Sequence, residues 1–226
     1  MFIFSSTSGI LKVWGMYVAR SENSYLTWFI ILTNIAVFIL VRINPRIILE
    51  YATIPILTVT FTQPYRLLTS MFIHYDVFHL FFNMFALFIF GPDIEKVLGK
   101  PRYLLLYFLS GFMAAIVHAY YIFIFFPVRE LLATPAIGAS GAIYGVMAAF
   151  GILFPLRRLV VFFGFPIMAP AIIVIIVLAL IQTLYAFVAP YSQVAYAAHV
   201  GGFITGLLIT FIYKPGLKRF IPYRYF

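Results

Sequence analysis

Six apolar stretches, at about 25–42, 72–91, 103–126, 138–154, 170–189 and 195–213, constrain this chain more than any other feature. A helix that crosses the hydrocarbon of a bilayer needs about 20 mostly apolar residues. The fourth stretch is short, and its glycines are of a kind that membrane helices tolerate. Composition agrees, with 65% of the 226 residues hydrophobic and 9% charged, against roughly 45–50% and about 25% in a soluble domain. The expected fold class is an all-α polytopic membrane protein. A six-transmembrane-helix bundle would occupy 25–213, between an interfacial N-terminal arm at 1–24 and a basic tail at 214–226.

The formal charge of +9 would suggest nucleic acid in a soluble protein. Beside membrane spans it marks positive flanks instead, so the partner expected is the lipid bilayer and no nucleic acid. Six spans return both termini to one side. With the N-terminus inside, the inner segments hold eleven basic residues: Lys12, Arg20, Lys96, Lys100, Arg102, Arg157, Arg158, Lys214, Lys218, Arg219 and Arg224. The outer segments hold four, Arg42, Arg46, Arg66 and Arg129. This asymmetry predicts cytoplasmic termini in a cell membrane. The N-terminus has no basic region ahead of its apolar residues and does not read as a cleaved signal peptide. The first outer connection, 43–71, is too apolar for a solvated loop and too broken by Pro and Thr for a span. It is expected to lie partly in the membrane, with protein satisfying its backbone.

Ionisable residues inside spans are costly and point to function. On this topology the second, fourth and sixth spans all descend from the outside, placing His79, Ser140 and His199 at similar depth in the outer leaflet. His118, on the ascending third span, can reach a similar level, and His74 precedes His79 by five residues. His79 and Asn83 share a face at i, i+4, as do Ser140 and Tyr144. Gly202 and Gly206 form a GxxxG strip with His199 close to the same side, and Gly141 and Gly145 form a matching strip. Small residues let membrane helices approach closely, so a contact between the fourth and sixth spans would bring His199 beside Ser140.

Each feature alone has a plainer reading: GxSG as small-residue packing, a single histidine as a hydrogen-bonded contact, Tyr144 as a core aromatic. Their joint occurrence at one depth points to catalysis. Serine is a weak nucleophile until a base takes its proton, and His199 would be that base, returning the proton to the leaving amine. The oxyanion needs preorganised donors, for which the Ser140 N–H, His79 and Asn83 are candidates. Gly138 and Gly141 would let a substrate backbone approach. No third, orienting carboxylate is evident, so the expectation is a Ser–His dyad with Tyr144 packed on His199. A zinc protease would need HExxH, which is absent, and Asp76 and Asp93 do not face each other at one depth as an aspartyl protease requires. The absence of cysteine excludes disulfides, a cysteine nucleophile and thiolate metal sites. No metal or cofactor is expected.

These residues resemble the rhomboid intramembrane serine proteases through 65–206. GASG (138–141) resembles the family's GxSG, and AHVGGFITG (198–206) its AHxxGxxxG. HYDVFHLFFN (74–83) resembles the HxxxxHxxxN of the second span. FGPDIEKVLG (90–99) resembles the turn after that span, with Glu95 at the family's glutamate. Tyr65–Arg66 stands where the family has Trp-Arg. The resemblance implies the six-helix form common in prokaryotes, with a cavity open to the outside that cleaves transmembrane protein substrates near their outer end. It also implies that the fifth span and the segment 189–196 form a gate and cap. Two other functions compete: a non-catalytic rhomboid-like factor that binds membrane proteins for quality control, and a small channel or transporter. The first typically lacks the Ser or His, and the second would favour more intramembrane charge or a repeated half.

Overall fold

The structure is a computed structural model that describes residues 10–13, 16–19, 24–162, 166–192 and 194–217. Most of the expected arm and tail therefore lies outside the described residues. A first hairpin pairs β1 (Ile10–Val13) with β2 (Met16–Ala19). Next come α1 (Tyr25–Ile43) and, within the first connection, the short helices α2 (Arg46–Tyr51), α3 (Pro55–Val59) and α4 (Arg66–Thr69) with a 3₁₀ turn over Ser70–Phe72. The long α5 (Val77–Leu98) and α6 (Lys100–Phe125) follow, then α7 (Arg129–Ala133) and α8 (Ser140–Leu153). A second hairpin, β3 (Arg158–Phe162) with β4 (Pro166–Pro170), leads to α9 (Ala171–Val188) and α10 (Tyr196–Leu217). The two hairpins depart from an all-helical chain; one precedes α1 and the other lies between α8 and α9.

Among the described residues five helices, α1, α5, α6, α9 and α10, are long and apolar enough to cross a membrane. They turn large apolar side chains outward, among them Phe29, Phe78, Leu180 and Ile212, as lipid-facing surfaces do. The shorter α8, about 21 Å long at 1.5 Å per residue, has the opposite character. Twelve of its fourteen residues are buried. It packs against α5, α6, α9 and α10, while α1 packs on α5.

What lets them pack so closely is glycine. A Cβ on Gly202 would collide with the Gly141 carbonyl oxygen, and one on Gly206 with the Gly145 backbone. On the other side of α8, a Cβ on Gly141 would strike Ala114 and one on Gly145 would strike Ser110, both from α6. The strip 141/145 is thus pinched between α6 and α10.

The span expected at 72–91 is displaced. FGPDIEKVLG is not a turn: α5 continues through Gly91, Pro92 and Glu95 and ends at Gly99, whose φ of +75° breaks the helix. The added turns have a use. The Glu95 carboxylate accepts the backbone N–H of Leu26 (3.0 Å) and Thr27 (2.8 Å) and the Thr27 hydroxyl (2.8 Å). A negative charge thereby meets the unpaired amides at the start of α1. Gly91 makes room for Thr27, and the Tyr103 hydroxyl lies 3.0 Å from the Thr27 hydroxyl.

The first connection satisfies its own backbone. The buried Arg66 donates to the carbonyls of Leu49 (2.9 Å) and Ala52 (2.7 Å) and to the Gln63 side chain. Thr69 donates to Tyr51 O at 2.7 Å. An isolated bridge, Thr53 with Ala136, then ties this connection to the segment that leads into α8.

Removing the Glu95 carboxylate strands two helix-start amides and a hydroxyl, a loss worth about 2–3 kcal/mol. Glu95→Ala is expected to lower the thermal unfolding temperature in detergent clearly. An unchanged transition would show that apolar contacts alone seat α1.

Candidate active site

Ser140 is the first residue of α8, after Ala139 in the capping position. Its hydroxyl does not cap the helix. It meets His199 Nε2 at 2.8 Å. His199 lies one turn into α10 and is buried, 8% exposed. Tyr144, one turn below Ser140, lies flat on the imidazole, with centroids 4.5 Å apart and planes within 11°. Tyr196 meets the same ring edge-on at 6.4 Å. The contact between α8 and α10 through Gly141, Gly145, Gly202 and Gly206 carries His199 to the serine.

The approach to Ser140 is fixed from outside its helix. Ala136 N–H donates to Thr53 O at 2.8 Å and Gly138 N–H to Ser70 O at 2.9 Å. Ala139 N–H makes a longer contact, 3.5 Å, with His74 Nε2. Burial first, and the charge His79 can carry second, push His74 down to about 3, so its ring is neutral and can accept that N–H. Gly138 has φ +119°, a conformation L side chains rarely adopt. A Cβ there would stand 2.7 Å from His79 Nε2 and 3.8 Å from Ser140 Oγ. His79 and Ser140 therefore border one small space, which Gly138 keeps open.

His79 is in the first turn of α5, whose cap is Asp76 accepting His79 N–H at 2.8 Å. Its Nδ1 faces the Tyr75 N–H at 3.5 Å. A ring nitrogen that accepts leaves the proton on the other one, so the proton sits on Nε2, the nitrogen beside Gly138. Asn83 is buried and donates one amide hydrogen to His79 O at 2.8 Å. That bond stays within α5, leaving the second amide hydrogen for another acceptor. On the far side of Ser140, a cavity of about 40 Å³ is lined by Ser140, Gly141, Gly138, Ser70 and His118. It is roomy enough for water.

One contact was not foreseen in the sequence. Gln182 of α9 sets its side-chain oxygen 2.7 Å from His199 Nδ1. The available signal was an amide within the apolar run AIIVIIVLALIQTLYAFV, which periodicity alone does not aim at His199. Among the described residues no group of three or more His, Cys, Asp or Glu could hold a metal ion.

Long apolar helices around a half-buried serine and the buried histidine that it meets define a multi-pass helical membrane protein. The Rhomboid domain family model matches residues 62–216, most of the chain, and this chain belongs to the rhomboid family, whose members are generally intramembrane serine proteases. It is 33% identical over 213 residues to Rhomboid protease AarA of Providencia stuartii, covering 83% of this chain and 72% of that one. It is 34% identical over 148 residues to Putative rhomboid protease YdcA of Bacillus subtilis, 66% of each. Rhomboid protein 1, mitochondrial, of Saccharomyces cerevisiae is 29% identical over 147 residues, 65% of this chain. The match spans less than half of the yeast protein's length, 41%.

The glycine contact yields a direct test. Even a methyl on Gly202 meets backbone, and overpacking of this kind costs about 1–3 kcal/mol. A shift of about 1 Å in a catalytic pair can cost roughly 10²-fold in rate. Gly202→Val should therefore separate Ser140 from His199 well before its thermal transition is lost, the first read as slower fluorophosphonate labelling of Ser140 and both measured in the same detergent.

Proposed function

We propose that this chain is an intramembrane serine endopeptidase that cleaves transmembrane protein substrates with a Ser140–His199 dyad. The observation that carries this reading is the 2.8 Å contact between Ser140 Oγ and His199 Nε2, with Tyr144 stacked on the ring. His199 takes the serine proton as Oγ attacks the scissile carbonyl, then gives it to the leaving amine. Water from the adjoining cavity repeats the cycle in reverse to release the acyl group. The oxyanion is met by the unpaired Ser140 N–H at the helix start, by His79 Nε2–H and by the remaining Asn83 amide hydrogen.

In the same reading α8 is the fourth of six spans, 25–213 is the membrane domain and 43–71 lies partly in the outer leaflet. The distribution of Lys and Arg supports cytoplasmic termini in a cell membrane, which turns the starts of α5, α8 and α10 outward. Cleavage then falls near the outer end of the substrate helix. Small residues at the cleavage position fit a site bordered by Gly138 and Gly141.

A fluorophosphonate should label the wild-type protein and not Ser140→Ala. Both Ser140→Ala and His199→Ala should lose cleavage of a model transmembrane substrate while remaining folded. A wild-type protein that is folded yet neither labelled nor active would favour the non-catalytic, membrane-protein-binding alternative.

The oxyanion donors have their own signature. Loss of one such donor costs about 10²–10³ in kcat. His79→Ala and Asn83→Ala are expected to lower kcat more than they alter KM in steady-state cleavage. An effect confined to KM would make them substrate-positioning groups instead.

A further inference from the structure

The mechanism above leaves one polar contact of the dyad unused: Gln182 Oε1 at 2.7 Å from His199 Nδ1, the ring nitrogen turned away from Ser140. We propose that Gln182 is a positioning residue, accepting the Nδ1–H and so holding the lone pair of Nε2 toward the serine. The proposal rests on the dyad reading of Ser140 and His199.

A neutral imidazole carries one N–H and one acceptor nitrogen, and the partner of one nitrogen selects the state of the other. With the proton on Nε2, the ring would donate to Ser140 and could not take its proton. An acceptor at Nδ1 excludes that tautomer. The amide turned the other way would donate to Nδ1 and favour the unproductive form, so the oxygen-first orientation is the one a general base requires. Tyr144 restrains the ring from its face; Gln182 restrains it in its plane.

The position on α9 suits this role. Ile175 and Ala186 are buried, and Leu178 packs on the core. Gln182 lies seven residues after Ile175 and four before Ala186, on the same helix face. Three acidic side chains that could have supplied a carboxylate are engaged elsewhere: Asp76 caps α5, Asp93 pairs with Arg157, and Glu95 holds α1. A neutral amide performs the orienting task without placing a charge inside the bundle, where charge is costly. It accepts the same N–H whether the ring is neutral or protonated, so it serves both proton-transfer steps.

The test uses the full-length protein in detergent and two readouts, the rate of fluorophosphonate labelling and the cleavage of a transmembrane substrate. The first reports the reactivity of Ser140 without requiring a helix to enter past α9. Gln182→Leu should lower the labelling rate and kcat by about tenfold or more, the worth of one hydrogen bond, with KM near wild type. Gln182→Glu keeps an acceptor of nearly the same shape. It should restore labelling at alkaline pH and move the acid limb of kcat/KM upward, because a carboxylate favours the protonated ring. The other titratable groups around the ring, Tyr144, Tyr196, His79 and His118, are unchanged by these substitutions. If Gln182→Leu does not fold, Gln182→Met, similar in shape and without an oxygen acceptor, takes its place. Wild-type labelling in the Leu or Met variant, with altered substrate turnover, would make Gln182 a contact for substrate entry and overturn the proposal. So would a Glu variant as slow as the Leu variant with no shift of its pH profile. Labelling that survives Ser140→Ala would instead overturn the dyad reading, and this proposal with it.

Discussion

The rest of the molecule depends on how near two helix backbones can come. In lipid there is no hydrophobic gain from bringing two apolar helices together, so close van der Waals packing has to supply much of the attraction. Gly202 and Gly206 on α10 lie directly on the carbonyls of Gly141 and Gly145 on α8. That contact shortens the distance between helix axes, and the side chains just beyond its end are Ser140 and His199. Their 2.8 Å separation is a consequence of four missing side chains. Ala114 and Ser110 of α6 close on the opposite side of α8, so the helix that carries the serine is fixed from two directions.

A second constraint is the obligation to satisfy backbone groups away from water. The first connection meets it with a guanidinium: Arg66 gathers the carbonyls of Leu49 and Ala52 that no helix pairs. The same requirement acts on 136–139, an irregular segment leading into a helix. Its N–H groups go to Thr53 O, Ser70 O and His74 Nε2, all contributed by the first connection or its continuation. Packing that loop and aiming the serine are therefore one event. Gly138, at φ +119° beneath the His79 ring, is the residue on which both converge.

These considerations separate what the sequence made legible from what it did not. Helix positions follow from apolar runs, and five of the six expected stretches lie within a few residues of α1, α6, α8, α9 and α10. Spacing at i, i+4 put Ser140 with Tyr144 and His79 with Asn83, and paired glycine strips anticipated which helices touch. The lower end of α5 runs past the apolar stretch, which stops at Gly91, and past the point where the family resemblance implies a turn. Pro92 forfeits one hydrogen bond there, and the chain remains helical because Glu95 on the added turn anchors α1. The two hairpins lie ahead of α1 and between α8 and α9, outside the long apolar runs, where no apolar periodicity reports them. Gln182 was missed for a different reason. Its partner lies 17 residues away on another helix, and the rotation of α9 that aims it inward is set by packing of Ile175, Leu178 and Ala186, which in an almost uniformly apolar span leaves no pattern to read.

Among the described residues the partners of the His199 ring nitrogens are Gln182 and Ser140, not a carboxylate, and this has a physical rationale. In a soluble enzyme an acidic partner at Nδ1 is stabilised by surrounding water and dipoles. Within a helix bundle in lipid, an ionised carboxylate without a cation would be costly at every stage at which the site is idle. On the proposed mechanism, charge exists at this site only while substrate is reacting, as an imidazolium and an oxyanion formed together and close enough to stabilise each other. The resting site then needs only neutral groups whose dipoles already point the right way: the face of Tyr144, the oxygen of Gln182, and the N–H groups of His79 and Ser140. Because those groups come from α5, α8, α9 and α10, the polarity of the site exists only when the four helices are assembled. A bundle held by backbone contact and a site built from neutral dipoles are, in this molecule, two results of the same packing.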